Sequence, residues 1–294
     1  MMRRMLIALV VVLGTFSLGQ VEKASPELSH GLGVLVRDGV FHSPSLDRDM
    51  KYRIILPGSY DTGSGRFPVL YLLHGLGGNY LDWDTRTDLE RYAEHLPLII
   101  VMPDADDSWY TDSVSNPKDK FETYIAKDLI AEIDAKYRTI QVRYSRAVAG
   151  LSMGGYAAMK LALKYPDEFV FAGSFSGAQD AGGDLEKRES QYHEKMLQIY
   201  GPDGSQTRRD NNVLLLVDKV DLSHLPYLYV ACGTEDFLLT SNRQFVAKLS
   251  ARKIAYEYHE SAGAHDWDYW DRMIRRMLPV VMEKVMPQAP HAPR

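Results

Sequence analysis

The chain has 294 residues, of which 45% are hydrophobic, a formal net charge of −5 and a single cysteine, Cys232. This length and composition predict one globular domain with a sizeable core, undivided by linkers or internal repeats. The negative charge and the lack of a basic run argue against nucleic acid as a partner, and one cysteine cannot form an intramolecular disulfide.

The first 19 residues have the pattern of a secretory signal peptide. Arg3 and Arg4 precede an uncharged apolar run at 5–13, and the residues Ser-Leu-Gly follow at 17–19. The run is too short for a bilayer, which needs about 20 apolar residues. We therefore expect a signal peptide at 1–19, one mature domain at 20–294, no stable membrane insertion, and a secreted or periplasmic location.

Two early segments predict strands. Residues 50–56 alternate in polarity and are followed by Pro57 and Gly58, which is typical of a half-buried antiparallel strand. Residues 67–73 are almost continuously apolar, which favours a strand buried on both faces.

A glycine-rich loop with the sequence His-Gly-Leu-Gly-Gly follows directly at 74–78. It lacks the spacing of phosphate-binding loops, but it can turn backbone N–H groups toward a substrate carbonyl. We assign one oxyanion donor to the N–H of Leu76, with Gly75 and Gly77 as alternatives.

The middle of the chain predicts a further strand at 98–102 and a helix at 121–137, whose apolar residues recur at helical spacing. The acids at 104, 106 and 107 lack EF-hand spacing, and the chain has no H-E-x-x-H motif. A polar loop, without a metal ion, is the interpretation we prefer there.

The run Gly-Leu-Ser-Met-Gly at 150–154 stands between a short apolar segment, 147–149, and a helix-like segment, 156–165. Glycines beside a serine at such a junction are typical of a nucleophile elbow, because the turn is too tight for flanking Cβ atoms. The hydroxyl of Ser152 would be exposed, and the helix N-terminus would favour developing negative charge. The second oxyanion donor should be the N–H of Met153. An ordinary strand–turn–helix junction is the alternative.

After a predicted strand at 169–175, residues 177–221 are polar and punctuated by glycines. We interpret this stretch as partial helices that cover the site. A surface insertion without substrate contact is an almost equal alternative.

The C-terminal third supplies an acid and a base. A strand at 225–233 ends in Glu235 and Asp236, and both are placed where open α/β sheets carry their sites. Serine first, acid second and histidine third is the order of α/β-hydrolases. Of the three histidines after the acids, His259 lies in a strand-like run and His291 in a Pro/Ala tail, which leaves His265 in its loop.

The segments 74–78, 150–155, 232–236 and 263–267 together resemble the esterase D-like branch of the α/β-hydrolases. That branch includes S-formylglutathione hydrolases, feruloyl, acetyl-xylan and tributyrin esterases, and mycolyltransferases. The resemblance covers the chain from about residue 52 to residue 285. It implies an α/β-hydrolase fold, with a mostly parallel central sheet, helices on both faces and a partial cap insertion at 177–221. It also favours Asp236 over Glu235 as the acid.

The resemblance implies a secreted serine carboxylesterase that hydrolyses short-chain acyl or phenolic esters through an acyl-enzyme, with Ser152, His265 and Asp236 as the triad and without a cofactor. Its substrate would be a small-molecule or carbohydrate-linked ester. Gly75, Trp83 and Trp267 are the expected substrate contacts. The alternatives are acyl transfer to a sugar, as in mycolyltransferases, and a non-catalytic carbohydrate- or lipid-binding module.

Overall fold

A computed structural model of the chain describes residues 33–183 and 193–286. Its strands form a single eight-stranded sheet. They are β1 (Val34–Ser43), β2 (Arg48–Pro57), β3 (Val69–Leu73), β4 (Ile99–Pro103), β5 (Arg146–Leu151), β6 (Phe171–Phe175), β7 (Tyr227–Gly233) and β8 (Tyr256–Ser261).

The sheet is mostly parallel, with the strand order β1-β2-β4-β3-β5-β6-β7-β8. Within this sheet, β1 pairs antiparallel with β2 and β2 pairs antiparallel with β4, and the other neighbouring strands pair parallel. In the parallel pair β3–β5, Leu73 lies opposite Gly150. The loop that follows β3 and the turn that follows β5 therefore emerge side by side at the carboxyl edge of the sheet.

From β3 onward, one or more helices follow each strand. They are α1 (Asp82–Thr85), α2 (Leu89–Ala93), α3 (Phe121–Thr123), α4 (Ile130–Lys136), α5 (Met153–Lys164), α6 (His193–Tyr200), α7 (Gln206–Asn211), α8 (Val213–Lys219), α9 (Leu239–Ala251) and α10 (Trp267–Val285). A π-helical stretch (Tyr124–Leu129) joins α3 to α4, and short 3₁₀ turns occur at Arg143–Ser145 and Leu222–His224.

Two apolar layers lie on opposite faces of the sheet. Alternate residues of β3 belong to different layers. Tyr71 lies in the layer under α5 and α9, and Leu72 lies in the layer under α1, α2 and α10. Because successive side chains of a strand point to opposite faces, a continuous apolar strand such as β3 fits only a sheet covered on both sides.

The structure confirms the predicted α/β-hydrolase architecture and strands at all the predicted places. The helix predicted at 121–137 is present, but its middle widens into the π-helical stretch. Strand β1, which the sequence did not reveal, extends the antiparallel edge.

Two predicted segments, the signal peptide and the cap insertion, lie wholly or partly outside the described residues. The signal peptide at 1–19 lies outside the described residues. Within 177–221, the described part forms α6, α7 and α8, and the hydroxyl of Tyr156 on α5 donates to the carbonyl of Asn211 at 2.6 Å. Among the residues described, no helix combines the length and apolar character needed to cross a bilayer.

Candidate active site

Ser152 occupies a tight turn between β5 and α5. Its backbone has φ 52° and ψ −114°, a conformation rarely adopted by residues other than glycine. A Cβ at Gly150 would lie 2.6 Å from the backbone of Gly154, and a Cβ at Gly154 would lie 2.5 Å from the carbonyl oxygen of Leu73. Both glycines are therefore required by the close approach of β3, β5 and α5, as the elbow pattern predicts.

The structure brings Ser152, His265 and Asp236 together from three distant parts of the chain. The Nε2 atom of His265 lies 3.0 Å from the hydroxyl oxygen of Ser152. Its Nδ1 atom lies 3.0 and 3.1 Å from the two carboxylate oxygens of Asp236. These are ordinary hydrogen-bond lengths, so hydrogen bonds connect the three side chains in series from Asp236 through His265 to Ser152.

Asp236 is fully buried, in the turn that follows β7. Burial raises the pKa of its carboxyl group, but hydrogen bonds from His265, from the Ser176 hydroxyl and from the N–H of Leu238 outweigh it and leave the pKa below its ordinary value. The carboxylate is thus held ionised, which suits a group that fixes the ring of His265.

Glu235, the alternative acid, has different partners. One of its oxygens accepts from the Thr234 hydroxyl at 2.7 Å and the other from the N–H of Gly263 at 2.5 Å. Glu235 therefore links the turn after β7 to the loop that carries His265. It supports the loop from outside and does not contact the imidazole in this arrangement.

The loop after β3 is braced by the loop after β4. The Nδ1–H of His74 donates to the carbonyl of Gly75 at 2.8 Å, and its Nε2 accepts from the N–H of Ala105 at 3.0 Å. With Nδ1 as the donor and Nε2 as the acceptor, the ring is assigned as neutral and protonated on Nδ1. Burial lowers the pKa of His74, which favours this neutral form. The carboxylate of Asp107 accepts from the N–H of Gly77 at 2.7 Å.

These contacts narrow the choice of oxyanion donor. The N–H of Gly77 is committed to Asp107, so it is a poor alternative to Leu76. Met153 is the first residue of α5, where an N–H has no acceptor one turn earlier in the helix. Its N–H thus stands at the positive end of the helix, directly after Ser152.

A cavity of about 160 Å³ opens beside Ser152. Its lining comes from the loop after β3, the elbow and the start of α10, and the residues are Gly75, Leu76, Gly77, Gly78, Asp82, Arg86, Leu151, Ser152, His265, Trp267 and Trp270. Gly75 and Trp267, two of the predicted substrate contacts, both line this cavity. The described residues of 177–221 contribute nothing to this lining.

Trp83 lies behind the cavity and not in its wall, which corrects its prediction as a substrate contact. Only 1% of its surface is exposed, its indole N–H donates to the carbonyl of Leu73 at 3.0 Å, and its ring packs edge-on against Trp267 at 5.4 Å. It supports Trp267 from the core, because the aromatic residues of α1 and α10 meet in the same apolar layer.

Ser176 is a hydrogen-bonding residue of the site that the sequence did not reveal. The hydroxyl of Ser176 accepts from the indole N–H of Trp270 at 3.1 Å and hydrogen-bonds to Asp236. Ser176 follows β6 and has φ 51°. A serine directly after a predicted strand carries no motif, so only the position at the carboxyl edge of the sheet could have drawn attention to it.

No group of three or more His, Cys, Asp or Glu side chains within residues 33–183 and 193–286 is arranged to hold a metal ion.

The chain is similar to known esterases and acyltransferases. A family model described as "Putative esterase" matches residues 43–281. An acetyl esterase of Caldicellulosiruptor saccharolyticus is 29% identical over 248 residues, which are 80% of this chain and 93% of that protein. The diacylglycerol acyltransferase/mycolyltransferase Ag85A of Mycobacterium bovis is 28% identical over 278 residues, covering 81% of this chain and 78% of that protein.

Among solved structures, a ferulic acid esterase superimposes with a TM-score of 0.75 and 27% identity, over 86% of this chain and 99% of its own. The relatives and this neighbour are the kinds of protein that the motifs resemble.

Proposed function

Since the chain belongs to the putative esterase family and is a carboxylic ester hydrolase, we propose that it hydrolyses short-chain acyl or phenolic esters through an acyl-enzyme formed on Ser152. The unbroken hydrogen-bonded line from Asp236 through His265 to Ser152 carries the proposal, since each member has the partner that its role requires.

In the first step the hydroxyl oxygen of Ser152 attacks the ester carbonyl carbon. The Nε2 atom of His265 takes the hydroxyl proton, and the carbonyl electron pair moves onto its oxygen. Asp236 keeps the Nδ1–H of the ring directed at its carboxylate and stabilises the imidazolium. The N–H groups of Leu76 and Met153 hold the oxyanion, each worth about 3 kcal/mol to the transition state.

Collapse of the tetrahedral intermediate breaks the bond to the alcohol oxygen, which takes the proton from His265 and leaves. A water molecule then attacks the acyl-enzyme, gives its proton to the same nitrogen atom and releases the acid. His265 serves first as base and then as acid in both halves, so the reaction needs no cofactor.

The size of the cavity supports a short acyl group. Its volume of about 160 Å³ is below the roughly 300 Å³ at which pockets for drug-sized ligands begin. The similarity to an acetyl esterase supports the same choice, and the similarity to a ferulic acid esterase supports phenolic esters.

Turnover of p-nitrophenyl esters from acetate to octanoate, with methyl ferulate and acetylated xylan alongside, tests the proposal. We expect the highest kcat/KM for acetate or butyrate and no turnover by Ser152→Ala. Equal turnover by that variant would contradict the role of Ser152, and a preference for octanoate would contradict the short acyl group.

Acyl transfer to a sugar is the second candidate, favoured by the similarity to the mycolyltransferase. It differs in the group that attacks the acyl-enzyme, a sugar hydroxyl in place of water. Product analysis with and without glucose or trehalose distinguishes the two. A non-catalytic carbohydrate- or lipid-binding module is disfavoured by the hydrogen bonds that join Ser152, His265 and Asp236.

We propose that the protein acts outside the cytoplasm, on the basis of the signal-peptide pattern at 1–19. The environment of Cys232 is compatible with an oxidising compartment, because the side chain is buried and burial raises the pKa of its thiol to about 12. Mass spectrometry of the exported fraction should find a mature N-terminus near Gln20. An intact N-terminus in a cytosolic pool would contradict this location.

A further inference from the structure

Phe237 is a large apolar side chain left in solvent beside the site. Its surface is 76% exposed, the highest fraction among the exposed large hydrophobic residues in the described part of the chain. Its ring lies 4.5 Å from the imidazole of His265, measured between centroids. An exposed apolar residue alone is ordinary, but one in ring contact with the proposed base has a defined place relative to the reaction.

The turn that carries Phe237 is fixed by the proposed acid itself. The N–H of Leu238 donates to a carboxylate oxygen of Asp236 at 2.8 Å, and the N–H of Leu239 donates to the backbone carbonyl of Asp236 at 3.0 Å. The residues on both sides of Phe237 are thereby held in the same unit as the carboxylate that orients His265. The ring is thus presented at a set position and does not sit on a free loop.

The chemistry decides which part of a substrate passes this ring. In the proposed mechanism, Nε2 of His265 gives its proton to the departing alcohol oxygen, so the alcohol portion must lie against the imidazole. The acyl carbonyl instead faces the N–H groups of Leu76 and Met153. A ring in contact with His265 is therefore next to the alcohol portion and not the oxyanion side.

We infer that Phe237 is a specificity-determining residue, whose ring contacts the alcohol portion of the ester and favours apolar, above all aromatic, alcohols. The inference rests on the proposed function. Covering the exposed ring with an apolar group removes two apolar surfaces from water at once, and two aromatic rings add a further stacking contribution.

The test compares two acetates whose alcohols have similar acidity, benzyl acetate and 2-methoxyethyl acetate, in the wild type and in Phe237→Ala. We expect kcat/KM for benzyl acetate to fall about tenfold in the variant, the scale of one lost apolar contact. The value for 2-methoxyethyl acetate should change less than about twofold. Phe237→Leu should retain part of the preference, because its side chain is still apolar.

The matched control is Tyr144→Ala, which removes another exposed aromatic ring (58% exposed) from the 3₁₀ turn before β5, at the end of that strand away from Ser152. It should leave both rates unchanged. Varying the acyl group from acetyl to butyryl at constant alcohol should leave the effect of Phe237→Ala the same.

Three results overturn the inference. An equal fall for both esters would mean that Phe237 only steadies His265. No change for either ester would mean that the ring touches no substrate. A wild type that hydrolyses neither ester would overturn the proposed function, and this inference with it, whereas the first two outcomes leave ester hydrolysis standing.

Discussion

At the scale of single residues, the backbone of Ser152 is held in its unfavourable conformation by its neighbours. Its N–H donates to the carbonyl of Phe175 at 2.9 Å, and its carbonyl accepts from the N–H groups of Tyr156 and Ala178 at 3.0 and 3.2 Å. Because these partners belong to β6, α5 and the following loop, the strain is offset by bonds that exist only in the folded protein.

Ser152→Ala should abolish turnover and leave the fold unchanged. The variant removes the attacking oxygen, so kcat should fall by at least about 10,000-fold. The backbone bonds of the elbow do not involve the hydroxyl, so the thermal unfolding midpoint should stay close to that of the wild type. Residual activity near the wild-type level would show that another nucleophile acts.

Asp236→Asn should damage the enzyme far more than Glu235→Gln. Of the two acids, Asp236 is the one that contacts the imidazole, so the amide of the substituted asparagine would favour the wrong tautomer of His265 and lower kcat by about 10,000-fold. Glu235→Gln keeps an oxygen that can accept from Gly263 and should cost less than about tenfold. Steady-state kinetics of both variants measures this, and the reverse order of damage would make Glu235 the orienting acid.

The sequence could narrow the site to a few residues because the elbow glycines follow from the tightness of the turn, and because the order serine, acid, histidine is that of the α/β-hydrolases it resembles. It could not decide between Glu235 and Asp236 by spacing, since adjacent residues leave the strand at the same edge. Ser176 stayed hidden because its contacts with Trp270 and Asp236 join segments far apart in the chain.

At the scale of elements, two loops act as one unit. The loop after β3 carries the Leu76 N–H, and the loop after β4 supports it through Asp107 and through Ala105, which contacts His74. The segment 104–107, which the sequence predicts to be a polar loop, thus includes the carboxylate that accepts from the N–H of Gly77.

Asp107→Ala should therefore lower kcat by about tenfold, less than the 100-fold or more expected for outright loss of an oxyanion donor. KM should change little, because the contact positions the loop without reaching substrate. Asp107→Asn should restore most of the activity, since an amide oxygen also accepts.

Asp106→Ala is the matched control for Asp107→Ala. Asp106 is the preceding residue, and its carboxylate pairs with Arg48 at 2.7 Å at the surface. Steady-state kinetics should show no effect of this change. Equal losses in the Asp106 and Asp107 variants would show that the loop as a whole matters and the bond to Gly77 does not.

A buried ion cluster joins α5 to the helix at 121–136. The ammonium of Lys160 has no exposed surface and lies 3.0 Å from one oxygen of Glu122, whose other oxygen is 2.5 Å from Lys164. Burial lowers the pKa of Lys160 to about 8, against the opposing effect of Glu122. Burial raises the pKa of Glu122, but the two lysines outweigh it and leave the pKa below its usual value.

Glu122→Gln should consequently lower the free energy of unfolding by about 3 kcal/mol, because a buried ammonium loses its counter-ion. Urea unfolding followed by circular dichroism measures the change. Glu122→Leu combined with Lys160→Met should recover most of it, since apolar side chains replace the whole pair. A double variant no more stable than the single one would contradict this account.

Elements with a strong periodic pattern were predictable, and those that depend on distant partners were not. The spacing of Ile125, Leu129 and Ile133 predicts the helix but gives no sign of its π-helical middle. Strand β1 escaped prediction because Arg37, Asp38 and Gly39 interrupt its alternation, and it forms only by pairing with β2 at the edge of the sheet.

At the scale of the whole molecule, the fold class was predictable and the strand order was not. Continuous apolar strands separated by helical segments require a parallel sheet with both faces covered. The pairing of β3 with β5, however, joins residues 73 and 150 across the whole of the β4 and α3–α4 segment. No pattern in the sequence marks this pairing, which places the loop after β3 beside Ser152.

Stability should decline as the pH falls through the acid range. The pKa values of Asp236 and Glu122 are below their ordinary values, and hydrogen bonds from Arg243 and Tyr258 lower that of Glu260 from 4.5 to about 2. A carboxyl group whose pKa is lower in the folded state contributes stability above its unfolded pKa and loses it as the pH falls through the folded value. The thermal midpoint should therefore fall between pH 4.5 and 2.

Differential scanning calorimetry from pH 7 to 2 tests this decline, and Arg243→Gln is the internal control. Because Glu260 is an exposed residue of the edge strand β8, we expect only a small change in the acid slope in that variant. A midpoint that rises on acidification would contradict the assignment of these carboxylates as ionised in the folded protein.

Three of the four tryptophans of the chain form one contiguous edge-to-face stack. Trp83 and Trp267 lie 5.4 Å apart, and Trp267 and Trp270 lie 5.2 Å apart, with Trp270 also 5.0 Å from the imidazole of His265. The stack therefore connects three of the four indole groups to the imidazole of His265 through ring contacts. Formation of an acyl-enzyme should alter the near-ultraviolet dichroism and the emission of the unlabelled protein, so a stopped-flow trace can follow single turnovers without a chromogenic substrate.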